Sequence, residues 1–275
     1  MRELAGKVAV VTGAGSGIGR GIALAFADAD MQVVVSDIER SAAEKVAAEI
    51  AAKGQRALSV HTDVSQRDAV EALAERCYRE LGAVHLLCNN AGVAVFGPLD
   101  EQRDGDWRWV LSVNLEGVVN GLQAFLPRMK AQPGPKHVVN TASVAGIVAF
   151  PGLGVYNASK YAVVGISETL RAEGARYELG CSVLCPGPVN TQIITSDRNR
   201  PAHLGAARPV QAPPGLAEQL LARSRDPLWV GRRVRVGVEN DEAYIFTDPA
   251  ARAWLETRVA ALRAGFDAAD RYGDG

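Results

Sequence analysis

Two side chains in this 275-residue chain stand where they could move a proton together. Tyr156 and Lys160 lie four positions apart in the run Val155-Tyr156-Asn157-Ala158-Ser159-Lys160. On an α-helix that spacing stacks both side chains on one face. A phenol is a poor base near neutral pH, because its reference pKa is about 10. An ammonium beside it favours the phenolate and pulls that value down. The pair could then exchange a proton with a substrate hydroxyl or carbonyl. Tyrosine and lysine at helical spacing are also an ordinary solvated face, so the reading depends on what else the fold carries to the same place.

The elements that would position this pair read as alternating strands and helices. Lys7-Val8-Ala9-Val10-Val11 is a short apolar run, Thr12-Gly13-Ala14-Gly15-Ser16-Gly17-Ile18-Gly19 follows, and 20–27 reads as a helix. In that strand–turn–helix setting Gly13 makes the tight turn and Gly17 lets the backbone approach a pyrophosphate. Gly19 lets helix pack on strand, and the phosphates sit at the helix N-terminus. No Gly-Lys-Ser/Thr follows, which excludes a Walker loop. A second strand, Gln32-Val33-Val34-Val35-Ser36, is followed by Asp37. Its carboxylate can accept hydrogen bonds from a ribose diol and repel a 2′-phosphate, which favours NAD over NADP. Neither Ser16 nor Ser36 supplies a cation for such a phosphate, and Arg40 is the neighbour that could permit NADP. The bland alternative is that Asp37 only caps the next helix.

Helices are expected at 41–53, ended by Gly54, and at 65–81, stopped by Gly82. Strands are expected at 56–61 and 84–88. Asp63 and Val64 follow the third strand, where an adenine edge could lie. Asn89-Asn90-Ala91-Gly92 follows the fourth, and small residues with amides suit a backbone passing close to a ligand. A long helix over 107–130 contains Asn114, an amide that needs a partner in an apolar stretch. That partner is either a kinked backbone or a water near the chemistry. A strand at 136–141 leads to Ser143. A helix over 153–179 carries Tyr156 and Lys160 and ends at Gly180; a strand at 181–184 then leads to Pro186, Gly187 and Thr191. Prolines break the pattern over 192–225, which reads as a mobile substrate lid with short helical pieces. A helix over 226–239, a strand over 242–247, a helix over 249–266 and a frayed tail over 267–275 complete the chain.

Strands alternate with helices without a break in composition. This predicts one α/β domain over 1–275, a doubly wound parallel sheet of about seven strands with helices on both faces. Strand-terminal residues of such a sheet gather at one crevice. Gly13, Asp37, Asp63, Asn89, Ser143 and Pro186 all fall at that edge.

Bulk properties exclude several classes. A formal net charge of −1 gives no electrostatic reason to expect nucleic acid or an anionic membrane as partner. No apolar run approaches the ~18 residues of a membrane span, and the first residues lack a signal-peptide pattern, so the chain reads as cytoplasmic. The four cysteines form no CxxC pair and the four histidines are scattered, so no metal site is predicted. A serine-hydrolase role for Ser143 fails for want of a Gly-x-Ser-x-Gly elbow.

Taken together, these residues resemble the classical short-chain dehydrogenase/reductase family, across nearly the whole chain to about Thr191. The matching motifs are Thr12-Gly13-x-x-x-Gly17-x-Gly19, Asn89-Asn90-Ala91-Gly92, Asn114, Ser143, Tyr156-x-x-x-Lys160 and Pro186-Gly187. The resemblance implies a Rossmann-type fold and hydride transfer between nicotinamide and a secondary alcohol or ketone. It implies that Tyr156 is the general acid/base and that Ser143 orients the substrate oxygen. Lys160 would lower the Tyr156 pKa and bind the nicotinamide ribose, and Asn114 would support a water linking Lys160 to solvent. Asp37 would select NAD and Thr191 would contact the carboxamide, with Ser16, Ile18, Asn90, Ala91, Gly92 and Val189 in the cofactor-binding set. It implies a homodimer or homotetramer, with the helices at 107–130 and 153–179 as interface faces. A narrower likeness, in 114–121, 127–129, 237–240 and 244–246, is similar to the branch that includes bacterial dehydrogenases of lignin-derived aryl alcohols. That implies a secondary alcohol beside an aromatic ring, in an apolar pocket walled by Val93, Val95, Phe96 and Phe150. The competing readings are an NADPH-preferring ketone reductase and a cofactor-binding sensor on the same fold.

Overall fold

The computed structural model describes residues 1–206 and 222–272. Its strands are β1 (Val8–Thr12), β2 (Gln32–Asp37), β3 (Ala57–His61), β4 (Leu86–Asn89), β5 (Lys136–Thr141), β6 (Leu179–Cys185) and β7 (Tyr244–Phe246). All pair in parallel, in the order β3-β2-β1-β4-β5-β6-β7, with Val10 opposite Val34 on one side and Leu87 on the other. The order reverses direction between β1 and β4, which opens a crevice above their carboxyl ends. The helices are α1 (Gly17–Ala27), α2 (Arg40–Ala51), α3 (Arg67–Leu81), α4 (Asp104–Leu111), α5 (Gly117–Ala131), α6 (Gly154–Gly174), α7 (Pro227–Glu239) and α8 (Ala251–Tyr272). A π-helical stretch, Ser112–Glu116, joins α4 to α5.

β1 and β2 are continuous valine runs because both faces of the sheet are covered. One apolar layer lies under α1, α2 and α7, where Val230, Val234 and Val238 meet Ile22 and Phe26. The other lies under α3 and α5, where Val70, Leu73, Ala74 and Cys77 recur at helical spacing. Each buried valine, leucine, isoleucine or phenylalanine among these stabilises the fold by about 1.5–3 kcal/mol. α1 and α7 cross almost backbone to backbone: a Cβ on Gly21 would lie 2.0 Å from the Pro227 carbonyl oxygen, and one on Gly231 2.0 Å from that of Gly21.

Four expectations change. Gly180 does not end a helix but lies inside β6; α6 stops at Gly174, and Glu178, at φ 53°, turns the chain into the strand. The helix expected over 107–130 starts three residues earlier and is interrupted at Asn114 by the π-helical turn. Asp37 is the last residue of β2 rather than the residue after it. α8 runs through the stretch expected to fray, as far as Tyr272, and only 273–275 fall outside the described residues. The expected lid begins with two 3₁₀ turns, Ile193–Asn199 and Ala202–Leu204, and 207–221 of it lie outside the described residues. No described helix is long and apolar enough to cross a membrane.

Candidate active site

The glycine turn is shaped by close approach. Gly13 (φ 62°) lies against Ala91, whose Cα would be 2.8 Å from a Cβ at that position. A Cβ on Gly19 would lie 2.1 Å from the Gly13 carbonyl oxygen. Ser16, the N-cap of α1, makes no side-chain capping bond, and no acidic side chain stands in the first turn. Such a helix N-terminus favours an anion. Asn90 stitches this turn to the sheet: its backbone N–H donates to Thr12 Oγ1 (3.0 Å), its side-chain amide donates to the Thr12 carbonyl (3.0 Å), and its Oδ1 accepts from Thr141 Oγ1 (3.3 Å).

At the tip of β2, the Asp37 carboxylate accepts from the backbone N–H groups of Gly15 and Glu39, both at 2.8 Å. Burial raises its pKa, and those two bonds only partly offset the rise. The capping alternative does not hold, because the N-cap of α2 is Glu39. Asp63 turns its carboxylate onto Ser65, accepting from its N–H at 3.0 Å and its hydroxyl at 2.7 Å.

On the other side, α6 carries Tyr156 and Lys160. Lys160 is 3% exposed, its Nζ donates to the Thr141 carbonyl (2.9 Å), and it sits 5.5 Å from the centre of the Tyr156 ring. Burial lowers its pKa to about 8. Burial also raises the Tyr156 pKa, against the lowering effect of a hydrogen bond with the Ser143 hydroxyl. The expected lowering by Lys160 is not what sets its value: desolvation, which penalises phenolate and ammonium alike, dominates. Ser143 is fixed by its own turn, where its Oγ accepts from the Ala145 N–H at 3.1 Å. Asn114 is fully buried in the π-helical turn. Its Oδ1 accepts from the Val93 N–H (2.8 Å), and its amide donates to the Val93 carbonyl (2.9 Å) and to Ser159 Oγ (3.1 Å). The backbone it bonds is thus the loop after β4, not its own helix.

One cleft joins these parts. Of the residues singled out in the sequence, Gly13, Ser16, Gly17, Ile18, Gly19 and Asp37 line it from the β1–β2 side, with Asp63 and Val64 after β3. Asn90, Ala91 and Gly92 form its floor, and Tyr156, Lys160, Pro186 and Thr191 close the far side. Asn114 and Ser143 stand just behind that wall, bonded to the lining residues as described. Gly187 and Val189 stand off the cleft: the Gly187 N–H donates to Thr247 Oγ1 (3.2 Å), and Val189 packs on the core beside α7. Of the four expected pocket-wall residues, Val93 lines the cleft and Val95, Phe96 and Phe150 do not: Val95 packs towards Trp109, and Phe150 meets Trp254 edge-on at 5.4 Å. Residues not singled out also line it: Ile38 and Glu39 after β2, Trp109 and Val113, and the strap Ile193, Ser196, Arg198 and Asn199. The strap lay within the predicted lid; nothing in the sequence marked Glu39 or Trp109. With an uncapped helix N-terminus at one end, a carboxylate beside it and a lysine ammonium at the other, the cleft has the groups that a nicotinamide dinucleotide requires.

Known proteins share this arrangement. The family model for short chain dehydrogenases matches residues 7–202. A short chain dehydrogenase/reductase from Burkholderia phymatum, solved in complex with NAD, superposes with a TM-score of 0.91 at 39% identity, over 96% of this chain and 97% of that one. A C alpha-dehydrogenase of Sphingobium sp. is 33% identical over 95% of this chain and 87% of its own length. A CLA biosynthesis dehydrogenase/reductase of Lactiplantibacillus plantarum is 30% identical over 94% of both. Likeness that runs from the first strand to the last, in sequence and in backbone, leaves one conclusion: the chain belongs to the short-chain dehydrogenase family, with a C alpha-dehydrogenase among its relatives, and is an oxidoreductase of CH–OH groups that binds a nicotinamide dinucleotide.

Proposed function

We propose that the protein is an NAD-dependent oxidoreductase that interconverts a secondary alcohol and its ketone, with Tyr156 as general acid/base. The observation that carries the reading is the group at the β5–α6 edge. A tyrosine whose acidity the neighbouring Ser143 hydroxyl acts on, with a lysine ammonium 5.5 Å from its ring, lines the cleft that also holds the glycine turn and Asp37.

Nicotinamide supplies the hydride acceptor or donor when bound. The remaining work belongs to the chain. Tyr156 removes the hydroxyl proton in oxidation and returns it in reduction. Ser143 stays a neutral donor and stabilises the substrate oxygen as its charge changes. Lys160 is mostly protonated below pH 8 and favours the phenolate that burial resists. Asn114 holds the loop after β4 against α6 and so fixes both walls. Asp37 accepts from the ribose diol and repels a 2′-phosphate. Asn114, Ser143, Tyr156 and Lys160 form the catalytic group.

Val93, Trp109, Val113 and Ile193 are apolar residues of the cleft lining. With the C alpha-dehydrogenase relative, this favours a secondary alcohol beside an aromatic ring. The reading extends to a cytoplasmic homodimer or homotetramer, supported by the exposed Leu262 and Phe266 of α8 and tested by sedimentation velocity. The chemical test is reduced-nicotinamide formation over aryl, aliphatic, steroid and sugar secondary alcohols, with NAD and then NADP. Turnover with NAD on aryl alcohols is expected. Tyr156→Phe should lower it by the ~10²–10⁴-fold that general acid–base catalysis contributes and leave NAD binding intact. Comparable turnover in the variant would remove Tyr156 from this role.

A further inference from the structure

The residue two places beyond Asp37 reaches across the mouth of the cleft. Glu39 Oε1 accepts from Arg198 Nε at 2.9 Å and from the Asn199 amide at 2.9 Å, and the second guanidinium nitrogen of Arg198 lies 2.8 Å away. Arg198 is held in place from its own side by bonds to the Gln192 and Thr195 carbonyls. The strap therefore reaches the cleft lining at Glu39, and its guanidinium stands near enough to Asp37, two residues away in sequence from Glu39, to act on its charge.

The electrostatics follow from this placement. The Arg198 charge stabilises the Asp37 carboxylate, and the Glu39 charge opposes it. Arg40, the cation that sequence proximity suggested, is exposed on α2 and does not line the cleft. Asp37, Glu39 and Arg198 together leave one negative charge at the mouth. A phosphate adds roughly −1.5 to −2, so the balance at this point sets which dinucleotide is admitted.

We infer that Arg198 is the cation that decides between NAD and NADP, and that Glu39 withholds it. This rests on the reading of the cleft as a nicotinamide dinucleotide site. Paired with Glu39, the guanidinium has its Nε edge filled and its charge neutralised, so a 2′-phosphate meets Asp37 without compensation. With the Glu39 charge removed, Arg198 keeps its two carbonyl anchors and presents an unfilled edge to the same point. Specificity here is a difference of affinities, and the pair acts on only one of the two ligands.

The test is titration calorimetry of the full chain with NAD and with NADP, for the wild type, Glu39→Gln, Arg198→Gln and the double variant. Both side chains are about one-third exposed, so the fold survives each change. Opening the strap alters both affinities alike and cancels in their ratio. Glu39→Gln should move the ratio of dissociation constants about tenfold towards NADP, as expected for one charge at partly solvated distance. Arg198→Gln in that background should return it. An unchanged ratio in Glu39→Gln, or a gain that persists in the double variant, overturns the inference while leaving the dinucleotide reading intact. A wild type that binds neither dinucleotide overturns both.

Discussion

The two halves of the sheet build their shares of the cleft from different materials. Under the dinucleotide side, β1 and β2 are apolar up to their tips, and what they offer a ligand is backbone: a glycine turn, a helix N-terminus and one carboxylate held by two N–H groups. Under the catalytic side, β4 ends in buried Asn89, β5 carries buried His137, Asn140 and Thr141, and β6 carries buried Ser182. The Asn89 amide donates to Asn140 Oδ1 (2.9 Å), the Asn140 amide to Ser167 Oγ (3.0 Å), and His137 Nε2 meets Ser182 Oγ at 2.8 Å. Lys160 and Asn114 extend this set into α6 and the π-helical turn. A phosphate is bound by whatever backbone can come near enough, so that half needs the absence of side chains. A proton-transferring group needs one orientation, and buried side-chain hydrogen bonds enforce one. The halves should therefore fail differently.

The largest effect is expected from adding a single methyl group to the backbone-built half. In Gly19→Ala the new Cβ would lie 2.1 Å from the Gly13 carbonyl oxygen and 2.5 Å from the Asn90 amide nitrogen, and neither group can retreat without opening the turn. NAD affinity should fall about 100-fold, towards the upper end of the ~1–3 kcal/mol that overpacking costs, as read by calorimetry. Affinity within threefold of wild type would show that close approach is not what this turn provides.

The matching change in the catalytic half removes atoms instead. Asn114→Ala deletes three hydrogen bonds and leaves the buried Val93 N–H without its acceptor. An orphaned buried group costs about 1–3 kcal/mol, so the unfolding midpoint in urea should fall accordingly. Because Asn114 positions the loop after β4 against α6, kcat should drop well beyond any change in NAD affinity. Equal losses in both would erase the distinction between the halves.

These differences also mark where the sequence stops being informative. The glycine turn and the Tyr156–Lys160 spacing are legible because each is a local pattern whose meaning is fixed by one strand or one helix. Asn114 announced that it needed a partner, but not that the partner was Val93, twenty-one residues away on another element. Glu39 and Arg198 are 159 residues apart, and only the fold brings them together. Gly180 looked like a helix stop because glycine usually is one. Its actual reason is tertiary: a Cβ there would lie 2.4 Å from His137 Nδ1 and 2.6 Å from Asp241 Oδ1. α8 outran its expected end because 267–272 contain no glycine or proline, so helix propensity continues after the apolar pattern fades. The Tyr156 pKa was misjudged because a charge pair is visible in the spacing, whereas desolvation is visible only in the packing.

The smallest effect separates the halves by acidity. His137, 1% exposed on β5, has its pKa lowered to about 3, chiefly by burial. Ser182 donates its hydroxyl proton to the Glu242 carbonyl, so its oxygen accepts from His137 Nε2, and the ring is the neutral Nε2–H tautomer. Unfolded, the same histidine titrates near about 6.5. Between those values the unfolded chain binds the extra proton and the native one does not, so stability is full above pH 6.5 and declines as pH falls towards 3. His85, half-buried between β1 and β4, acts with the same sign, its pKa lowered chiefly by burial. Carboxylates enter mainly below about pH 5, so the window from 6.5 to 5 belongs to the buried histidines. There the wild type should lose stability on acidification, and His137→Gln should flatten that slope while lowering the plateau at pH 7. The His137 ring resonances should stay at their neutral positions throughout the window. A ring that protonates at pH 6 in the native state, or a slope unchanged in the variant, would mean that the β5–β6 network tolerates a buried charge and is looser than its hydrogen bonds imply.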